Sequence, residues 1–253
     1  MKTPTLILAV LAASHCFTMQ TPAQPANTTV STDSFKWESR RNGELKFLLH
    51  LPNEYSATNG VRWPLMLFLH GAGERGTDVQ RAGIHGPMKL VRQGTNFPFI
   101  IVAPQCPENQ RWDSEALDQL LTHVVATRAV DTNRIYVTGL SMGGYGTWSL
   151  GLRYPEKFAA IAPVCGGGNI MDTVLASPGH AAALRALPVW AFHGAKDPIV
   201  PISESERMVT HLKTRAKHPN VKLTVYPEAD HDSWTQTYND PKFYEWLLEQ
   251  RRK

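Results

Sequence analysis

Cysteine is scarce in this chain, three in 253 residues, which excludes a disulfide-stapled scaffold. Charged residues are also few, at 19%, and they never form long runs. Arg40-Arg41 and Arg251-Arg252-Lys253 are short basic pieces that fit solvated surface and tail, and the rest of the +4 net charge is dispersed. That pattern gives no nucleic-acid footprint. No apolar run reaches the roughly 20 residues that span a bilayer. There is no internal repeat, and no group of His, Cys and Glu has metal-ligand spacing. Gly166-Gly167-Gly168 lacks the Lys-Ser/Thr of a phosphate-binding loop. Neither a metal nor a cofactor is expected, and nothing in the sequence sets an oligomeric state.

The first residues have the pattern of a targeting segment. Lys2 supplies the positive charge, and Leu6 to Ala13 form an apolar core too short to cross a membrane. A signal peptide over residues 1–23 is expected, with cleavage near Thr21-Pro22-Ala23 or Ala12-Ala13, and with it a secreted or periplasmic location. His15 stands where a small residue should precede a lipidated cysteine, which argues against anchoring through Cys16. The Thr-, Pro- and Asn-rich stretch that follows has no periodicity, so residues 24–34 are assigned to a linker. One catalytic domain is expected over 35–253, long enough for a sizeable core at 42% apolar content.

What the chain does have is Gly139-Leu140-Ser141-Met142-Gly143-Gly144, a G-x-S-x-G motif. The run before it, Ile135 to Thr138, is apolar and β-branched, and Tyr145 to Phe158 reads as a helix stopping near Pro155. Strand, turn with serine at its apex, then helix is the context that gives this motif meaning. Gly143, Gly144 and Gly146 are poor helix residues, at roughly 1 kcal/mol each against Ala. Three in one turn suggest a helix lying very close to its strands.

Strand-like runs recur at Phe35 to Ser39, Leu45 to Leu51, Trp63 to Leu69, Phe99 to Ala103, Ala159 to Val164, Val189 to Phe192 and Leu223 to Tyr226. Asn42-Gly43 marks a hairpin turn between the first two. Continuous apolar runs such as Trp63 to Leu69 suit parallel strands buried on both faces. Helical periodicity appears at Ser114 to Arg128, and helices at Ala181 to Ala186, Glu204 to Lys217 and Pro241 to Arg251 fill the gaps around the later strands. The expectation is an α/β fold with an eight-stranded, mostly parallel sheet flanked by helices on both faces. Two strands would separate Cys106 from Cys165, at about 4.8 Å per spacing. A bridge needs Cα atoms within about 7 Å, so they read as two small buried residues.

Active residues gather where parallel strands end. Asp197 follows the run ending at Phe192, and His231 follows the run ending at Tyr226. The order Ser141, Asp197, His231 is the chain order of an α/β-hydrolase triad. Asp230 and Asp232 flank the histidine, but neither follows the strand that should carry the acid.

Taken with His70-Gly71-Ala72-Gly73-Glu74-Arg75-Gly76, Ala103-Pro104-Gln105-Cys106-Pro107 and His231-Asp232-Ser233-Trp234, these blocks resemble those of the α/β-hydrolases. The resemblance is closest to the compact bacterial carboxylesterase and predicted-peptidase group related to dienelactone hydrolase and the prolyl oligopeptidase catalytic domain. It spans about residues 45–250. It implies Ser141 as nucleophile, His231 as general base and Asp197 as its orienting acid. The oxyanion hole is expected from the backbone N–H groups of Met142 and Ala72, with Gly73 as the fallback.

His70 and His193 each precede glycine at a strand end and read as residues that pin their turns. His85 reads as a loop histidine, and Glu74 with Arg75 as an ion pair shaping the oxyanion turn. Trp112 and Trp234 are candidates for the substrate pocket, as is Gly73. Between Val164 and Val189 there is room for about one helix and a loop, so no large lid or cap is expected and the site should be open to small-molecule or polymer-borne esters, including feruloyl or acetyl esters on polysaccharide. The alternative is a serine peptidase of the prolyl oligopeptidase type. A binding protein on a hydrolase fold is disfavoured by the intact triad.

Overall fold

The computed structural model describes residues 30–37 and 43–252. The targeting segment, most of the linker and Asn42 of the hairpin turn lie outside the described residues. Eight strands form one sheet: β1 (Val30–Trp37), β2 (Gly43–His50), β3 (Trp63–Leu69), β4 (Ile100–Pro104), β5 (Val130–Leu140), β6 (Ala160–Val164), β7 (Val189–Gly194) and β8 (Val221–Tyr226). Their order is β1-β2-β4-β3-β5-β6-β7-β8. The strand β2 runs antiparallel to both neighbours, and β3 to β8 are parallel. The helices are α1 (Gly86–Arg92), α2 (Ser114–Thr127), α3 (Met142–Arg153), α4 (Met171–Val174), α5 (Pro178–Ala186), α6 (Ser203–Thr214), α7 (Trp234–Asn239) and α8 (Pro241–Glu249).

Successive residues of a strand face opposite sides of the sheet, and here the two sides are two cores. Leu65, Leu67, Leu69, Ile100, Val102 and Val137 pack with Leu117 and Leu120 of α2, Trp148 of α3, Leu184 of α5 and Met208 of α6. Met66, Phe68, Ile101, Ala103 and Tyr136 face the other way, onto Met88 and Val91 of α1 and Phe243 and Leu247 of α8. The central strands are buried on both faces, which is why they are continuously apolar. Helix ends follow local chemistry. Asp113 caps α2 by accepting from the N–H groups of Glu115 and Ala116, and Asp240 caps α8, whose first residue is Pro241.

Two strands start five residues earlier than expected. Residues 30–34, assigned to the linker, form the first half of β1, with Val30 opposite His50 and Ser34 opposite Lys46. This edge strand is polar and mostly exposed, so no hydrophobic alternation marks it, and backbone pairing with β2 supports it. The strand β5 starts at Val130 rather than Ile135, through four polar residues at the sheet's rim. The short helices α1, α4 and α7, of seven, four and six residues, left no periodic signal. Cys106 and Cys165 are both free and buried, with β3 and β5 lying between their strands.

Candidate active site

The carboxyl ends of β3, β5, β7 and β8 bring four loops together at the centre of one sheet edge. Ser141 stands between β5 and α3 at φ 52° and ψ −116°, a left-handed conformation that costs a non-glycine residue about 1–3 kcal/mol. Its surroundings hold it there. The Ser141 N–H donates to the carbonyl of Val164 at 3.0 Å and faces Cys165 Sγ at 3.3 Å. The turn is tight because α3 presses onto the sheet: a Cβ at Gly144 would lie 2.4 Å from the Val164 oxygen.

His231 lies in the loop between β8 and α7, and its Nε2 is 3.0 Å from Ser141 Oγ. On the other side of the ring, Nδ1 is 2.7 Å from Asp197 Oδ2. A carboxylate only accepts, so Nδ1 carries the proton and Nε2 is free to accept from the serine hydroxyl. Asp197 is held by two further donors, the N–H groups of Ile199 at 2.8 Å and Val200 at 2.9 Å, both on Oδ1. Burial opposes ionisation of this carboxyl. The His231 hydrogen bond, the two backbone N–H bonds and the electrostatic attraction of the His231 ring together outweigh burial and hold it below the ordinary carboxylate value.

The rival acids are engaged elsewhere. Asp230 accepts from the Asp232 N–H, and Asp232 accepts from the N–H and hydroxyl of Thr235 at the start of α7. Both are exposed. Gly194 lets the loops that carry Asp197 and His231 meet, since a Cβ there would stand 2.1 Å from the Asp230 carbonyl oxygen.

Ala72 opens the 3-10 turn Ala72–Glu74 after β3, and Met142 opens α3. As first residues of helical turns, neither N–H has a partner within its own turn. Ala72, Ser141 and Met142 line one cleft of about 860 Å³. His70 pins the Ala72 turn. Its Nδ1–H donates to the Gly71 carbonyl at 2.7 Å, its Nε2 accepts the Cys106 N–H at 3.0 Å, and its own carbonyl accepts from Trp112 Nε1 at 3.1 Å. Burial, with the charges of Arg81 and Arg75, outweighs the Gly71 bond and lowers the His70 imidazole to about 4, so it is neutral near pH 7. His193 is likewise buried, between Ser205 Oγ and the Val200 carbonyl.

Trp112 lines the cleft beside Ser141, whereas Gly73 does not, and the Gly73 carbonyl accepts from Arg81. Trp234 is not on the cleft wall. Its ring packs edge-on against His231, with centroids 5.3 Å apart, and against His85 at 5.5 Å. The expected Glu74–Arg75 ion pair does not form. Glu74 faces His85 at 3.7 Å, while Arg75 turns the other way and donates to the carbonyls of Ala72 and Gln110. Sequence reasoning also passed over Arg111, Tyr145 and Asp172, which line the same cleft. None belongs to a motif. Cys165 was read only as a core residue, yet its thiol sits within 4.8 Å of the ligand atoms of Asp197 and His231. Burial pushes this thiol up to about 12, so it stays protonated. Its place at the carboxyl end of β6, next to Ser141, was the available signal.

Residues 108–242, just over half of the chain, match the family described as Phospholipase/Carboxylesterase. The chain is 26% identical over 185 residues to a bifunctional acetylxylan esterase/xylanase of Neocallimastix patriciarum, covering 68% of this chain and 25% of that protein's length. It is 25% identical to a poly(3-hydroxyoctanoate) depolymerase of Pseudomonas fluorescens, covering 78% of this chain and 80% of the relative. Among solved structures it resembles a thermostable esterase, with a TM-score of 0.69 and 31% identity over 87% of this chain and 63% of the other. No helix among the described residues is long and apolar enough to cross a membrane.

Proposed function

The chain belongs to the phospholipase/carboxylesterase family, and we propose that it is a serine carboxylesterase acting on short to medium or aryl esters. The observation that carries this reading is the unbroken hydrogen-bonded line from Ser141 Oγ through His231 to Asp197. A serine hydroxyl is a weak nucleophile until a base takes its proton. In this reading His231 Nε2 accepts that proton as Oγ attacks the ester carbonyl. The resulting imidazolium lies against Asp197, whose negative charge stabilises it and whose hydrogen bond keeps the ring in the productive tautomer. The N–H groups of Met142 and Ala72 receive the oxyanion, each worth about 3–4 kcal/mol in the transition state. His231 then gives the proton to the departing alcohol. Water, activated by the same histidine, releases the acid from the acyl-enzyme.

The segment between β6 and β7 holds only α4, α5 and short loops, which leaves the cleft open to an ester carried on a polymer. A location outside the cytoplasm and feruloyl or acetyl esters of polysaccharides fit that openness and the N-terminal pattern. The test is a series of p-nitrophenyl esters from acetate to palmitate, with methyl ferulate beside it. Short, medium or aryl esters should be hydrolysed fastest. Preference for palmitate, or no turnover of any ester, would overturn the reading.

A further inference from the structure

The wall of the cleft nearest the oxyanion turn carries two arginines and no acid. Arg75 and Arg111 line it together with Ala72 and Trp112. Arg75 is half-buried and held in place, its Nε on the Ala72 carbonyl at 3.0 Å and one terminal nitrogen on the Gln110 carbonyl at 3.3 Å. Both acceptors are neutral carbonyls, so its charge is not matched, and the other terminal nitrogen has no protein partner among the described residues. Arg111 has no ion pair or side-chain hydrogen bond among the described residues. The rest of the lining is balanced differently. There Arg207 is paired with Glu204 at 2.9 Å and also donates to the Gly168 carbonyl, and Asp172 supplies a second carboxylate.

A cleft with an unmatched pair of guanidinium groups favours a ligand that brings negative charge, because a carboxylate or phosphate accepts the paired N–H groups of an arginine in one plane. The low-dielectric walls of a cleft strengthen that attraction over its value in open water. His231, which must reach the departing alcohol, is not among the residues lining this cleft. The cleft therefore takes the acyl side of the ester.

Resting on the serine-esterase reading, we propose that Arg75 and Arg111 form an acyl-side anion subsite, and that the preferred substrates carry a carboxylate or comparable anionic group on the acid being released. Arg75 also ties the oxyanion turn, so the charge would bind against the same element that holds the reacting carbonyl. Arg111 supplies the second charge from the loop after β4.

The experiment compares p-nitrophenyl hemiglutarate and hemiadipate with the neutral valerate and hexanoate of equal carbon number, after subtraction of spontaneous hydrolysis. The ratio of kcat/KM, anionic over neutral, should be about ten in dilute buffer, the size of one charge-assisted hydrogen bond. It should fall towards one in the Arg111→Gln variant, and also in wild type at about 0.5 M NaCl, where exposed charges are screened. Lys89→Gln removes the same charge from the exposed side of α1, outside the cleft, and should leave the ratio unchanged. A wild-type ratio at or below one overturns the subsite while turnover of the neutral esters leaves the esterase reading standing. A ratio insensitive to both Arg111→Gln and salt overturns it equally. Failure to hydrolyse any of the four esters overturns the esterase reading and the subsite with it.

Discussion

Gly143 lies directly against the backbone of Leu69, so close that a Cβ on it would stand 1.9 Å from the Leu69 carbonyl oxygen. That contact joins α3, which begins beside Ser141, to the strand that leads into the turn Ala72–Glu74. Backbone cannot move aside as a flexible side chain can. Gly143→Ala should therefore cost at least about 3 kcal/mol in stability, the range of severe overpacking. Urea unfolding checks this, and a loss below about 1 kcal/mol would mean that the two elements slide apart freely.

Asp197→Asn should lower kcat by about 10⁴ near neutral pH, because an amide in place of the carboxylate stabilises the wrong histidine tautomer. Asp230→Asn and Asp232→Asn remove exposed carboxylates whose contacts are local to the loop, and their kcat values should stay within about tenfold of wild type. Steady-state kinetics of the three variants separates the assignments. A larger loss at either neighbour would make that residue the acid.

Stability should fall in mild acid through His70. Its native imidazole is lowered from 6.5 to about 4, so the folded state favours the neutral ring. The resulting stability is fully present above pH 6.5 and is lost as pH falls through about 4. The full contribution is on the order of 3 kcal/mol. Protonation would set an N–H on Nε2 against the Cys106 N–H that it accepts now. Urea midpoints measured between neutral pH and pH about 4.5 should drop more steeply for wild type than for His70→Gln. Parallel slopes would remove His70 as a source of the acid sensitivity.

The central strands were legible because burial on both faces demands uninterrupted apolar residues, as in Leu65 to Leu69. The sharp turn at Ser141 was legible because it needs glycines at Gly139, Gly143 and Gly144, each of which would clash with backbone if it carried a Cβ. That Asp197 and His231 would meet at Ser141 followed from chain order and strand ends. The first half of β1 was hidden because an exposed edge strand needs backbone partners more than apolar side chains. The direction of Arg75, away from Glu74, depends on the Ala72 and Gln110 carbonyls, and one of those comes from a distant loop. No local pattern encodes that choice, and the same holds for Arg111, which reaches the cleft only through the crossing of β3 and β4.

In the proposed reading the serine triad would serve an esterase and a peptidase alike, so the groups around it must separate the two. A peptide has to be held extended, and its departing amine must be protonated as it leaves. Between β6 and β7 there are only α4, α5 and short loops to do that holding. Activated and aryl esters should exceed X-Pro and Ala p-nitroanilides in kcat/KM by at least a hundredfold, about 3 kcal/mol. Similar values for an ester and its matched anilide would favour the peptidase reading.

The central claim is that Ser141 is the residue acylated during turnover. Treatment with a fluorophosphonate, followed by intact-mass and peptide mass spectrometry, tests it without a guess about the natural substrate. The account predicts one adduct per chain, on the peptide containing Ser141, formed in step with loss of ester hydrolysis and absent from a folded Ser141→Ala variant. An adduct on another residue, or full ester hydrolysis by that variant, would contradict it.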